Sequence, residues 1–211
     1  MKKYIAAGPV LDRHPLSLAW GDMGSEHSDF VTGIDAAVDD DGLIIYTRDN
    51  MILDGWQRYV EFSKRGIEVV LVEYEGDDPG GFVIRRNGNR RHLTPAQRCL
   101  AVTEVMRWAT ESDDGAEVKI NAVHVAKMAG ASAKTARHVL KADEAGISEV
   151  VKQGEMSAKD AASVAVHDDL VGMLKSGDIT PAEAVKEVRA RRAPSRADNL
   201  EAKLGLAERE R

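Results

Sequence analysis

Aromatic residues make up only 5% of this 211-residue chain, and it contains one cysteine, Cys99. With so few rings, the core must be assembled mainly from Ala, Val, Leu and Ile. A lone cysteine excludes an internal disulfide, and no Cys/His cluster has zinc spacing. The histidines at 14, 27, 92, 124, 138 and 167 show no ligand spacing either, so no metal site is expected from them. This cysteine usage suits a reducing cytosol. No apolar run approaches a membrane span, and the run in Met1–Pro9 is too short for a signal peptide. A cytoplasmic protein without a membrane partner is the expectation. Net basic charge is also lacking: the balance is −6. Any contact with nucleic acid must therefore come from local patches.

Three basic islands supply such patches: Arg85, Arg86, Arg90, Arg91 and Arg98; Lys127, Lys134, Arg137 and Lys141; and Arg189, Arg191, Arg192 and Arg196. Asp39, Asp40 and Asp41 form an acidic run. With Asp54 they are the carboxylates a metal nuclease would draw on, but an acidic run usually reads as a solvated loop.

Residues 1–92 read as mixed α/β. Leu43–Tyr46 and Met51–Leu53 are short apolar strands joined by a hairpin-type connection over Thr47–Asn50. Met51–Tyr59 then runs from strand through Asp54-Gly55 into a helix with Arg58 in its first turn. Glycine there lets backbone approach an anion, and the helix N-terminus and Arg58 add positive potential, so the segment reads as a phosphate cradle. Gln57–Lys64 is helical with Gly66 placed to end it, Val69–Tyr74 is β-branched and reads as a buried strand, and Asp77-Asp78-Pro79 opens a short helix.

Beyond Thr94 the pattern is helical. Thr94-Pro95 caps a helix reaching about Thr110, a polar loop covers Glu111–Glu117, and helices over Ile120–Met128 and Ser132–Ala142 flank Ala129-Gly130-Ala131. A segment starting at Ile147 is echoed twenty-three residues later from Leu170. Both copies read helix, Gly, then a Ser or Thr cap, with Ser157/Asp160 and Thr180/Glu183 as capping boxes. Residues 93–192 thus form an all-α domain, and 193–211 a flexible or helical tail.

The pair around Gly130 has helix-turn-helix spacing. Counting Ala122 as the first position, Ala126 is the small fifth residue that lets helices cross, and Gly130 is the ninth, where the turn needs positive φ. Val125, Ala129, Ala131, Ala136 and Val139 occupy the packing positions. Ser132, Lys134, Thr135, Arg137, His138 and Lys141 are left for the outer face of the second helix, as hydrogen-bonding and cationic types suited to DNA. An ordinary helical hairpin with a solvated face would show much the same pattern. The cationic face in an acidic chain favours DNA.

Together these landmarks resemble the ParB-type partition family, in particular the short ParB-like proteins of plasmids and phages. The resemblance runs from His14 to about Ala165. It is carried by Ile52-Leu-Asp-Gly-Trp-Gln-Arg-Tyr59, Glu73-Tyr-Glu-Gly-Asp-Asp78, Phe82-Val-Ile84, Asn87-x-x-Arg-Arg-His-Leu-Thr94 followed by Gln97-Arg98, the helix-turn-helix, and Val151-x-x-Gly154-Glu-x-Ser157. It implies an α+β chain: a ParB/sulfiredoxin-like α/β N-terminal domain followed by an all-α helix-turn-helix domain. It further implies sequence-specific binding of double-stranded DNA, in partition or transcriptional control, by a homodimer associated with nucleoid or plasmid. Ser132, Lys134, Thr135, Arg137, His138 and Lys141 would contact DNA, with Arg90 and Arg91 on phosphates. The family's nucleotide site implies CTP or another nucleotide with Mg²⁺, held by Gly55, Gln57, Arg58, Asn87 and Arg90. The alternative it raises is a nucleotide-dependent enzyme on the same fold, a nuclease, NTPase or kinase, although no catalytic residue is assigned. This chain departs from the family pattern at Trp56, Gln57 and Val60, and at Arg86, which stands where that pattern has Glu. Sulfiredoxin chemistry is not expected, because Cys99 lies inside a helical pattern rather than at a strand-to-helix turn.

Overall fold

A computed structural model describes residues 11–21, 44–66, 69–88, 93–112 and 120–192. Expectations for Leu43, Asp39–Asp41, Arg90, Arg91, His92, Arg196 and the 193–211 tail lie outside these residues, as does the 113–117 part of the polar loop. Packing groups the chain into two units, residues 1–140 and 141–211. The expected junction at 92/93 falls beside the undescribed 89–92 segment.

In the first unit, β1 (Ile44–Arg48) and β2 (Met51–Asp54) form an antiparallel hairpin. Its two-residue turn, Asp49-Asn50, holds both residues at positive φ, 53° and 60°. That is the mirror-image turn whose twist matches the strands, and Asp and Asn tolerate it best among non-glycine residues. β3 (Val70–Glu73) pairs parallel to β1, giving the order β2-β1-β3. Expected as fully buried, β3 is half-buried to exposed instead. Among the described strands it sits at the sheet edge, and its β-branched composition cannot distinguish an edge from a centre.

α2 (Trp56–Arg65) follows β2 directly and ends at Gly66 in the left-handed conformation, as expected. Ile45, Ile52, Tyr59, Phe62 and Val69 form a core between sheet and helix, with Leu11, Trp56 and Leu71 packed on it. The Tyr59 hydroxyl also accepts a hydrogen bond from Leu11 N at 3.1 Å. A short helix absent from the sequence reading, α1 (Pro15–Leu18), is capped by His14. Buried His14 receives Leu16 N–H on Nδ1 at 3.1 Å and meets the Trp108 ring edge-on at 5.2 Å.

α3 (Pro79–Asn87) has Asp78 as its N-cap, accepting from Gly81 N at 2.6 Å. α4 (Pro95–Ser112) begins with a Thr94/Gln97 capping box. It contacts α1, α3 and α5 (Ala122–Ala129). Cys99 is fully buried, and burial pushes its thiol up to about 11, so it acts as a small apolar residue. α6 (Ala133–Glu144) follows Gly130, whose φ is 59°.

The second unit contains α7 (Ser148–Lys152), α8 (Ala158–Val164), α9 (Asp168–Ser176) and α10 (Pro181–Arg192). The sequence repeat reappears as a repeated bond pattern. Gly154 N donates to Val151 O and Glu155 N to Val150 O; Gly177 N donates to Leu174 O and Asp178 N to Met173 O. Both glycines are left-handed, and the Ser157/Asp160 and Thr180/Glu183 boxes form. Arg191 grips Asp169 through two bonds of 3.0 and 2.6 Å, which holds the Asp169 carboxyl down at about 2. Among the described residues no helix is long and apolar enough to cross a membrane.

Two stability results follow. A Cβ on Gly55 would sit 2.8 Å from Ile45 Cδ1 and 3.2 Å from Arg58 Nη2 at φ 93°, whereas one on Gly130 meets nothing within 4 Å. Gly130→Ala should cost only the left-handed backbone term, about 1–2 kcal/mol, and Gly55→Ala measurably more; equal losses in urea denaturation would contradict this packing. Burial holds the His14 pKa below its ordinary value. Its contribution is therefore full above about pH 6.5 and is lost as pH falls through that value toward the depressed folded pKa. His14→Asn, which keeps a capping side chain, should flatten the fall in melting temperature between about pH 7.5 and 5.5; an unchanged slope would refute the assignment.

Candidate functional site

Two clusters in the first unit bring polar chemistry to the surface. The first is built on the β2–α2 turn. The β1–β2 register slips between Tyr46 and Thr47, so that Tyr46 opposes Asp54 and Thr47 opposes Ile52. This bulge at the strand end leaves Ile52, Leu53 and Asp54 all buried rather than alternating. A carboxylate is thereby buried next to a glycine turn, where it requires strong partners.

Asp54 has them. Oδ2 accepts from Arg86 Nε at 2.6 Å and lies 3.9 Å from Arg58 Nη2. Oδ1 accepts from Asn87 Nδ2 at 3.1 Å, and the same amide nitrogen donates to Val83 O at 2.9 Å. The Arg86 guanidinium lies over the Tyr46 ring, 4.9 Å from its centroid, and 5.7 Å from that of Phe82. Phe82 is packed in turn between Tyr46 and Tyr74. Stacking and the Nε bond together fix both the plane and the edge of the guanidinium.

Two guanidiniums thus share one carboxylate. Arg58 feels it: burial lowers its pKa, Asp54 raises it, and Arg86 lowers it again. The side chains of Arg58 and Arg86 remain 20% and 40% exposed. Of the residues expected at a nucleotide site, Gly55, Arg58 and Asn87 are gathered here, and Gln57 lies in the first turn of α2. Asn87 acts by holding Asp54, with both amide hydrogens engaged. Arg90 lies outside the described residues. Asp54 and Arg86 are the additions the structure makes. A carboxylate already bonded to two side chains and flanked by two cations does not fit as a Mg²⁺ ligand.

The second cluster is the α5–turn–α6 pair. Val125, Ala126, Ala129, Ala136 and Val139 are buried between and beneath the helices, and Ala131 is half-buried. Ser132 caps α6, its Oγ accepting from Thr135 N at 3.0 Å and lying 2.8 Å from Thr135 Oγ1. Lys134, Arg137 and Lys141 are exposed at successive turns, with Thr135 and His138 half-buried beside them. Among the described residues no ion pair engages those three cations. His124 is exposed on α5 with Lys127 and Val123; it falls on the side of α5 away from the buried Val125, Ala126 and Ala129.

Arg98, which the sequence shows as part of a basic island and as a landmark of the resemblance, holds the turn. Its Nε donates to Ala129 O at 2.9 Å, Nη2 to Gly130 O at 3.3 Å, and Nη1 to Leu93 O at 2.8 Å. The Ala129 and Gly130 carbonyls are ones that the end of α5 leaves without helical partners, and a cation satisfies them well. Three bonds to three carbonyls account for Arg98, so it is a structural residue of the turn.

No family model matches the chain, and no curated protein does. Among solved structures it is similar to the C-terminally truncated chromosome-partitioning protein ParB from Caulobacter crescentus, crystallised with the centromeric parS site. Identity there is 17% and the TM-score 0.40, over 77% of this chain and 88% of that one. It is also similar to a Pnob8-like ParB-N domain, at 14% identity and TM-score 0.48, over 82% of each chain.

The buried carboxylate carries a stability prediction. Asp54→Ala strands Arg58, Arg86 and Asn87 together and should cost about 3–5 kcal/mol in chemical denaturation. A loss below about 1 kcal/mol, the range of exposed ion pairs, would show that the cluster is solvated rather than buried.

Proposed function

We propose that this chain is a sequence-specific DNA-binding protein of the ParB-like class, acting in plasmid or phage partition or in transcriptional control. The observation that carries the reading is α6: a helix on a Gly130 turn, capped by Ser132, that exposes Lys134, Arg137 and Lys141, which have no ion-pair partner among the described residues. A cationic face on a helix whose opposite side buries Ala136 and Val139 is the arrangement that enters a major groove. Arg137 reads base edges, since a guanidinium matches guanine O6 and N7 with two bonds, while Lys134 and Lys141 engage phosphates. Ser132, Thr135 and His138 add polar contacts along the same helix, and Arg90 and Arg91 belong to the proposal as further phosphate contacts. A homodimer on paired half-sites and a nucleoid- or plasmid-associated location complete it.

A second reading concerns the Asp54 turn: it binds a nucleotide, CTP in the first place, and so modulates DNA binding. Two partly exposed guanidiniums around one carboxylate support it.

The DNA reading is tested by fluorescence anisotropy against a selected site and a scrambled one. Arg137→Ala should weaken binding to the selected site by about 1–3 kcal/mol while leaving scrambled DNA nearly unaffected. Lys134→Ala should weaken both alike and reduce the salt slope by about one. Wild-type affinity of Arg137→Ala for the selected site would remove α6 as the reading helix.

A further inference from the structure

We propose that the Asp54 turn binds a polyphosphate without a divalent cation, with Arg86 supplying the charge that a metal would otherwise bring. The inference rests on the nucleotide reading of this turn and specifies how the ligand is held.

The donor set points this way. A Mg²⁺ ion bound beside phosphates needs carboxylate or water oxygens in octahedral array. The carboxylate at the turn, Asp54, has Oδ2 on Arg86 and Oδ1 on Asn87. Both guanidiniums would repel a metal placed within reach of it. Among the described residues no group of three or more His, Cys, Asp or Glu side chains could hold a metal ion. The same features suit an oxyanion. Arg86 uses Nε for Asp54 and its flat face for Tyr46, which leaves the Nη edge to point at a ligand. Arg58 Nη2 lies 3.2 Å from where a Cβ of residue 55 would be, so the missing side chain of Gly55 is what gives this guanidinium its place over the turn. Asp54 orients both cations, and a bound phosphate would meet the Nη edge of Arg86 in charge-assisted hydrogen bonds.

Calorimetric titration of the full chain with inorganic pyrophosphate and with CTP, each in EDTA and in excess Mg²⁺, tests this. We expect dissociation constants in the two conditions to agree within about threefold. Arg86→Gln should weaken binding in EDTA by about tenfold or more, the value of a hydrogen bond to a charged group. Arg85→Gln, which alters an exposed pair with Asp78, should leave binding unchanged. A melting curve for each variant separates lost binding from lost folding, and Arg86→Lys provides a charge-conserving variant should Arg86→Gln unfold. Binding seen only with Mg²⁺, or undiminished in a folded Arg86→Gln chain, overturns the proposal while sparing the nucleotide reading. No binding of either compound in either condition overturns both.

Discussion

The first unit depends on one buried carboxylate. Asp54 ends β2 at a bulge, and it ties that strand to the last turn of α3 through Arg86 and Asn87, residues more than thirty positions away in the chain. Without those partners its charge could not be buried; without its charge, two arginines and an amide would lose their common acceptor. The pairing therefore fixes where α3 sits against the sheet. It also leaves two partly exposed guanidiniums at the turn, so the structural interaction and the proposed binding surface would share the same side chains.

From α3 the arrangement passes to the helical part of the same unit through packing and one guanidinium. α4 contacts α3 on one side and α5 on the other, and Arg98, in its first turn, bonds the carbonyls of Ala129 and Gly130. The geometry of the turn is thus set from outside the helix pair as well as by the left-handed Gly130. α6 buries Ala136 and Val139, and this orientation holds Lys134 and Arg137 in solvent. The cost of gathering like charges on such a face is small in water and becomes an advantage only opposite a polyanion, which is why this face carries the functional reading.

Much of this was legible in the sequence because its signals are local. The Asp49-Asn50 turn, Gly66, the Thr94 and Ser157 caps, Gly130 and the twenty-three-residue echo each act within a few residues of backbone, and each took the structure its composition requires. The parts that were not legible depend on contacts between distant residues. Nothing near Arg86 or Arg98 indicates that one meets Asp54 and the other meets the Gly130 turn: Arg86 reads as a departure from the family pattern and Arg98 as one of its landmarks, both inside a basic island. β3 carries the composition of a buried strand yet lies half-exposed at an edge, because burial is decided by neighbours and not by propensity. The cradle was legible as a turn type, but its chemistry was not: that depends on Arg86, where the resemblance supplied no template.

The central claim, that α6 reads DNA sequence, is tested most directly by selecting bound fragments from a random duplex pool with the full chain, at salt near physiological strength. The account predicts enrichment of one motif containing a guanine whose identity is relaxed in a parallel selection with Arg137→Ala. Retention of DNA without any enriched motif, or an identical motif from both proteins, would contradict it.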